Sequence, residues 1–274
     1  MALALENVSK HFGSLVAIKN LSLTFDVGSV YSIIGPNGAG KSTVVNMIAG
    51  SYSVTSGAIR LGTSVLNRLP KHRVAQLGIA RTYQNLRLFD GMTVLENLEV
   101  CFFPQSWLTY LTGARRLGKS ERLDICHACL ERFGLSDVAD TLAGDLPYGR
   151  QKILELARAF VTEAPIVLLD EPAAGLNHTE TKDMAALIAS LKRADRAIIL
   201  VEHDMDMVMS ISDRIDVLNY GELLCSGTPE LVRTNEKVQE AYLGTTEELD
   251  TIRKLAQGRR AQGGLRSNAG IVRH

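Results

Sequence analysis

The run Gly35-Pro36-Asn37-Gly38-Ala39-Gly40-Lys41-Ser42 has the spacing G-x-x-x-x-G-K-[ST]. It follows an apolar stretch, Ser29 to Ile34, and leads into a helical pattern from Lys41 to Ala49 that Gly50 closes. In that strand–turn–helix setting the glycines permit a turn whose backbone amides converge on phosphate oxygens, and the helix start adds a field that favours the anion. Lys41 suits the β- and γ-phosphates, Ser42 suits Mg²⁺, and Thr43 can donate to a nearby phosphate. Asp170-Glu171 closes a second apolar stretch, Ile166 to Leu169. Ligands in open α/β sheets sit at such strand ends. Asp170 suits Mg²⁺ through water, and Glu171 suits a general base or orienter of an attacking water. The two motifs together predict binding and hydrolysis of a nucleoside triphosphate.

The elements that must position these groups are legible in outline. Residues 2–34 read as short strands, 56–62 as another, and Ile79 to Tyr83 as a further one. From Thr93 helical signals dominate. Thr93 and Glu96 form a capping box, and Ser120 to Phe133 is a helix ended by Gly134. After Gly149, the residues Ile153, Leu156, Ala157, Phe160 and Val161 mark one apolar helical face, as do Met184, Leu187, Ile188 and Leu191 later. Ile166 to Asp170 and Ala197 to His203 read as buried strands, the second ending in a polar pair. Strands alternating with helices predict a mostly parallel sheet. Arg214 to Gly227 reads as a hairpin turning at Tyr220-Gly221.

Bulk properties narrow the class. The chain has 274 residues, 46% hydrophobic and 22% charged, and its 30 basic residues balance 30 acidic ones. That balance carries no nucleic-acid footprint. Four cysteines are too few for a disulfide scaffold at this length. Cys126 and Cys129 have metal-like spacing, but Leu123, Cys126, Leu130 and Phe133 share a helical face, so buried thiols are the expectation. No secretory signal and no membrane-length apolar run is visible, so a membrane role must go through partners. Cys101 to Leu111 holds the single tryptophan and reads either as local core or as a docking surface for a hydrophobic partner. Residues 245–274 are basic and glycine-rich, with the expectation of a short helix followed by a disordered tail.

With these motifs in place, the chain resembles the ATP-binding subunits of ABC transporters over residues 3–244. The resemblance implies an α/β P-loop NTPase (RecA-like) core with a mostly parallel sheet, an N-terminal antiparallel β subdomain and an inserted helical subdomain at about 86–160. It implies that residues 1–244 form the ATPase domain, with 245–274 as an extension. Phe12 stands where the family stacks an aromatic on adenine. Gln84 in Arg81-Thr82-Tyr83-Gln84-Asn85 matches the glutamine that reaches Mg²⁺ and the attacking water. Ala174-Gly175-Leu176-Asn177 matches the D-loop, with Asn177 where many members carry aspartate, and His203 matches the histidine that reads the γ-phosphate.

Leu146-Pro147-Tyr148-Gly149-Arg150 stands at the family's LSGGQ signature, which closes over ATP held by a second subunit. Pro147 replaces the usual serine and removes a hydroxyl and an N–H donor. Arg150 replaces the usual glutamine and adds charge. The YG signature, Asp170 to Asn177, Val201 to Met205 and Glu240-Ala241-Tyr242-Leu243-Gly244 together are similar to the branched-chain amino acid importer group, whose relatives take up urea and amides. The resemblance implies ATP and Mg²⁺ as cofactors, a second ATPase subunit, two membrane permeases and an indirectly coupled substrate-binding protein. It implies a peripheral place on the cytoplasmic face of a bacterial or archaeal inner membrane and a hetero- or homodimer of ATPase subunits; the loss of the serine at Pro147 adds the expectation of unequal ATP sites in a heterodimer. The alternatives are the ATPase of a lipopolysaccharide-type exporter and a soluble, non-transport ABC ATPase.

Overall fold

The computed structural model describes residues 1–102 and 118–242. The chain opens with two long antiparallel strands, β1 (Ala2–Phe12) and β2 (Leu15–Asp26). Residues 2–34 are expected to form short strands, but the first two run to 11 and 12 residues. The hydrophobic alternation breaks because the ladder carries irregularities between Leu5 and Val8, between Val8 and Lys10, and between Lys10 and His11. Asn7 (φ 48°) and Asn20 (φ 46°) take left-handed backbone at these shifts, a conformation asparagine tolerates better than most residues. With β4 (Ser56–Leu61) and β5 (Ser64–Val65) these strands make an antiparallel sheet in the order β2-β1-β4-β5.

The second sheet has the order β10-β9-β3-β8-β7-β6. Its parallel part comprises β3 (Val30–Ile34), β6 (Ile79–Arg81), β7 (Ile166–Asp170), β8 (Ala197–Val201) and β9 (Arg214–Asn219). The continuous apolar runs follow from burial on both faces. In β7, Ile166 and Leu168 enter one core with Leu3, Phe25 and Val45, whereas Val167 and Leu169 enter another with Leu154, Phe160 and Ile188. β10 (Glu222–Gly227) returns antiparallel from β9. Tyr220 (φ 46°) and Gly221 (φ 79°) both turn left-handed, as a two-residue hairpin of this twist requires.

Helices cover the parallel sheet. α1 (Lys41–Ile48) follows β3, and α2 (Lys71–Gln76) precedes β6. Between β6 and β7 lie α3 (Val94–Glu99), α4 (Lys119–Arg132) and α5 (Tyr148–Phe160). The capping box at Thr93 forms in both directions, Thr93 N–H to Glu96 Oε2 at 2.8 Å and Glu96 N–H to Thr93 Oγ1 at 3.1 Å. Cys126 and Cys129 are buried on α4, and burial pushes their thiols to about 11 and about 12. They are core residues, as their helical face predicts. α6 (His178–Ser190), α7 (Met205–Ile211), α8 (Pro229–Thr234) and α9 (Glu236–Tyr242) complete the described chain. No helix among the described residues is long and apolar enough to cross a membrane. Most of the Cys101–Leu111 segment and all of 245–274 lie outside the described residues.

Candidate nucleotide site

The strand order places the chemistry. β3, β8, β7 and β6 are neighbours, so the ends of three of them and the loops that follow carry Lys41, His203 and the pair Asp170-Glu171, with Gln84 just beyond the fourth. At the usual strand spacing the row from β3 to β6 is roughly 14 Å wide, about the reach of a nucleotide's phosphates and the groups that act on them.

The loop before α1 needs its glycines for space as well as for backbone freedom. A Cβ at Gly40 (φ 101°) would lie 2.5 Å from Ile18 Cδ1 and 2.9 Å from Ala17 O. A Cβ at Gly35 would lie 2.1 Å from Leu218 O. Pro36, Asn37, Gly38 and Ala39 complete the turn, in which Ala39 N–H donates to Pro36 O at 3.1 Å. The Lys41 ammonium donates to Gly35 O at 2.6 Å and to Pro36 O at 3.2 Å, which holds it against the loop. α1 begins at Gly40 with no side-chain cap, so Ser42 and Thr43 stand on an uncapped first turn, an arrangement that suits anion binding.

Asp170 ends β7 with its side chain largely buried. Burial pushes its carboxyl above the ordinary aspartate range, and the Arg81 guanidinium 3.3 Å away pulls it back. Glu171 follows in left-handed backbone (φ 50°), a strained state for glutamate of the kind that collects at functional sites. Its N–H donates to Val201 O at 2.9 Å, and its carboxylate accepts a hydrogen bond from Gln84 Nε2 at 3.0 Å. The structure thus brings together Gln84 and Glu171, which stand 87 residues apart.

His203 is well exposed beyond β8, its Nδ1 3.6 Å from Glu202 Oε2. Glu202 itself is a residue that sequence reasoning passed over as half of a polar pair. It is buried, and its carboxylate accepts from Ala173 N–H at 2.9 Å and His203 N–H at 3.0 Å. It therefore braces the loop after Glu171 against the loop that carries His203. Burial pushes its carboxyl above the usual glutamate range, against the pull of those amides.

Phe12 projects from the end of β1, 40% exposed, and meets Tyr52 edge-on with ring centroids 5.3 Å apart. Tyr52 is equally exposed and was not legible from the sequence, because nothing local marks it. Lys10 Nζ lies 4.8 Å from the Phe12 ring. If this aromatic pair takes the base, Phe12→Ala weakens ATP binding roughly fivefold or more, the lower end of base–aromatic stacking energies. Binding of inorganic tripolyphosphate, which has no base, stays unchanged. Titrating the purified chain with both ligands checks this, and equal losses for the two would remove the stacking role.

Within Leu146–Arg150, Tyr148 and Gly149 lie against Ala174, Gly175 and Leu176 of the same chain. Leu146 is buried, and Pro147 caps α5 with no side-chain hydrogen bond. Tyr148 Oη donates to Ala174 O at 3.1 Å, and its ring approaches the Cβ position of Gly175 to 3.0 Å. A Cβ on Gly149 would sit 2.9 Å from Glu180 Oε1, close to Leu176. Asn177 caps α6, accepting from Thr179 N–H and Glu180 N–H. Arg150 is held by Asp137 at 2.7 Å, so its charge already has a partner on the same chain.

Fold and site together define a transport ATPase of the ABC class. Residues 18–174 match the family described as ABC transporter, and the chain belongs to that family. Within it, residues 222–248 match a second family, described as branched-chain amino acid ATP-binding cassette transporter. The high-affinity branched-chain amino acid transport ATP-binding protein LivG of Salmonella typhimurium is 46% identical over 88% of this chain and 97% of its own. Its counterpart BraF of Pseudomonas aeruginosa is 44% identical over the same shares. The lipopolysaccharide export ATP-binding protein LptB of Haemophilus influenzae is 29% identical over 88% of this chain. Among solved structures, the ADP conformation of an ATP-binding cassette of an ABC transporter superposes with a TM-score of 0.78 at 30% identity, covering 89% of this chain and 99% of that one. A dimeric bacterial ABC cassette superposes with a TM-score of 0.72 at 26% identity, covering 83% and 98%.

Proposed function

We propose that this chain is the ATP-hydrolysing subunit of an importer for branched-chain amino acids or related small polar solutes such as urea or amides. The observation that carries the substrate class is the near-full-length likeness to branched-chain transport subunits, which exceeds the likeness to the exporter subunit by 46% against 29%. In this reading the chain lies peripherally on the cytoplasmic face of the membrane. It pairs with a second ATPase subunit and docks on two permeases fed by a substrate-binding protein. Residues 1–244 act as the ATPase unit, and the helices between β6 and β7 carry motion to the permeases.

The geometry supports a division of labour. Lys41, Thr43 and the amides of the Gly35–Ser42 loop hold the phosphates. Ser42, Asp170 and Gln84 offer hydroxyl, carboxylate and carboxamide oxygens, a hard donor set that suits Mg²⁺ completed by phosphate oxygens. When bound, Mg²⁺ neutralises charge on the β- and γ-phosphates. Gln84 fixes the Glu171 carboxylate, which orients and deprotonates the attacking water. His203 meets the γ-phosphate from β8. Reconstituting the chain in vesicles with the permeases, second ATPase and binding protein of a branched-chain amino acid importer tests the substrate class. ATP-dependent uptake of leucine or urea supports the proposal, and vesicles that move neither overturn it.

The signature of this chain would close over the partner's ATP. Pro147 supplies no hydroxyl there, and the ion pair of Arg150 with Asp137 keeps that guanidinium from replacing it without first giving up its partner. Pro147→Ser is therefore expected to raise hydrolysis at the partner's site about tenfold, the worth of one hydrogen bond to a charged group. The assay is steady-state ATPase of the assembled complex with this chain's own Glu171 inactivated. An unchanged rate would mean that the α5 amides already suffice.

A further inference from the structure

Arg81 closes β6, and its side chain is only 11% exposed. Burying a guanidinium carries a desolvation cost that an apolar side chain of similar length would avoid, so its contacts call for an account. Nη1 donates to Asn46 Oδ1 at 3.0 Å, Nη2 to Asp170 Oδ2 at 3.3 Å, and Nε to Thr82 O at 3.2 Å. The guanidinium carbon lies 4.4 Å from the Tyr83 ring centroid, one residue before Gln84. Asn46 in turn donates through Nδ2 to Ser42 O at 2.7 Å, one helical turn back along α1. A continuous chain of contacts thus runs from Ser42 through Asn46 and Arg81 to Asp170. It joins the helix that carries the hydroxyl to the strand end that carries the carboxylate.

We propose that Arg81 is a positioning residue for the divalent-cation end of the nucleotide site. It sets the spacing of Ser42 and Asp170 and holds Asp170 Oδ2, which leaves Oδ1 for the cation. The inference rests on the reading of the site as one for a nucleotide with a divalent cation. The planar fork of arginine can address Asn46 and Asp170 at once, whereas a lysine ammonium is a single point charge on a flexible stem. Charge and spacing are therefore separable. Arg81→Lys keeps the positive charge beside Asp170 and removes the fork. Asn46→Ala keeps the Arg81–Asp170 pair and cuts its link to α1.

The test is binding of a fluorescent ATP analogue to the full chain, with magnesium chloride in one series and EDTA in the other. In the wild type, magnesium must tighten binding; if it does not, the cation reading of the site fails, whatever Arg81 does. In Arg81→Lys the magnesium-dependent gain is expected to fall roughly tenfold, as for one lost charge-assisted bond, while affinity in EDTA is unchanged. Asn46→Ala is expected to move the same way by less. In the assembled transporter, both variants lower kcat at saturating ATP. A purely structural role would weaken binding equally in both series and lower the melting temperature in step. That pattern, or a wild-type magnesium gain in both variants, would overturn the proposal.

Discussion

Glu171→Gln lowers the ATPase rate of the assembled transporter by roughly 10²–10⁴-fold, the usual worth of a positioned general base, and leaves ATP affinity unchanged. The substitution keeps the volume and the left-handed backbone of the site, and the bond from Glu171 N–H to Val201 O is indifferent to it. What disappears is the charge that accepts from Gln84 Nε2 and that draws a proton from water. A binding role for Glu171 would show instead as weaker ATP affinity with kcat preserved. A companion variant separates strain from chemistry. Glycine adopts φ 50° without steric cost, so Glu171→Gly should melt higher than the wild type while hydrolysing no faster than Glu171→Gln. If Glu171→Gln retains wild-type turnover, another group is the base. His203 would then be the next to replace, since it stands on the neighbouring strand end.

The acid pair and the groups that surround it differ in legibility. Asp170 and Glu171 could be read directly, because an acid pair after a buried apolar run is a local signal and the phosphate loop lies upstream in a recognisable setting. The parallel sheet was legible for the same reason, since burial on both faces leaves runs such as Ile198 to Val201 almost wholly apolar. The groups that tune the site were not. Arg81 and Asp170 are 89 residues apart, and Glu202 reaches Ala173 across 29 residues. No periodicity records such pairings, because they arise only when β6, β7 and β8 come side by side. Arg150 shows the limit from the other side. Its charge is visible in the sequence, but its partner Asp137, in a short turn before α5, is not. The strand lengths failed for a local reason, since the irregularities at Asn7 and Asn20 interrupt the alternation without ending the ladder.

Lys41→Met is the second large effect, and it falls on binding where Glu171→Gln falls on rate. The Lys41 ammonium is held by Gly35 O and Pro36 O, two carbonyls of the loop that it serves. An ammonium has three donors, so the group that fastens the loop can turn two of them from its carbonyls to an arriving anion. Methionine keeps the length and the apolar stem but supplies neither donor nor charge. Two charge-assisted bonds to phosphate at about 1.5 kcal/mol each correspond to roughly 100-fold in ATP affinity. ADP should lose less than ATP, because the γ-phosphate contact is absent from the start, and AMP should lose least. Titration of the purified chain with the three nucleotides reads this ordering directly. An equal loss for all three would place the lysine's role in the shape of the loop alone. In that case the lysine's contribution would lie in the two carbonyl bonds and not in a phosphate contact.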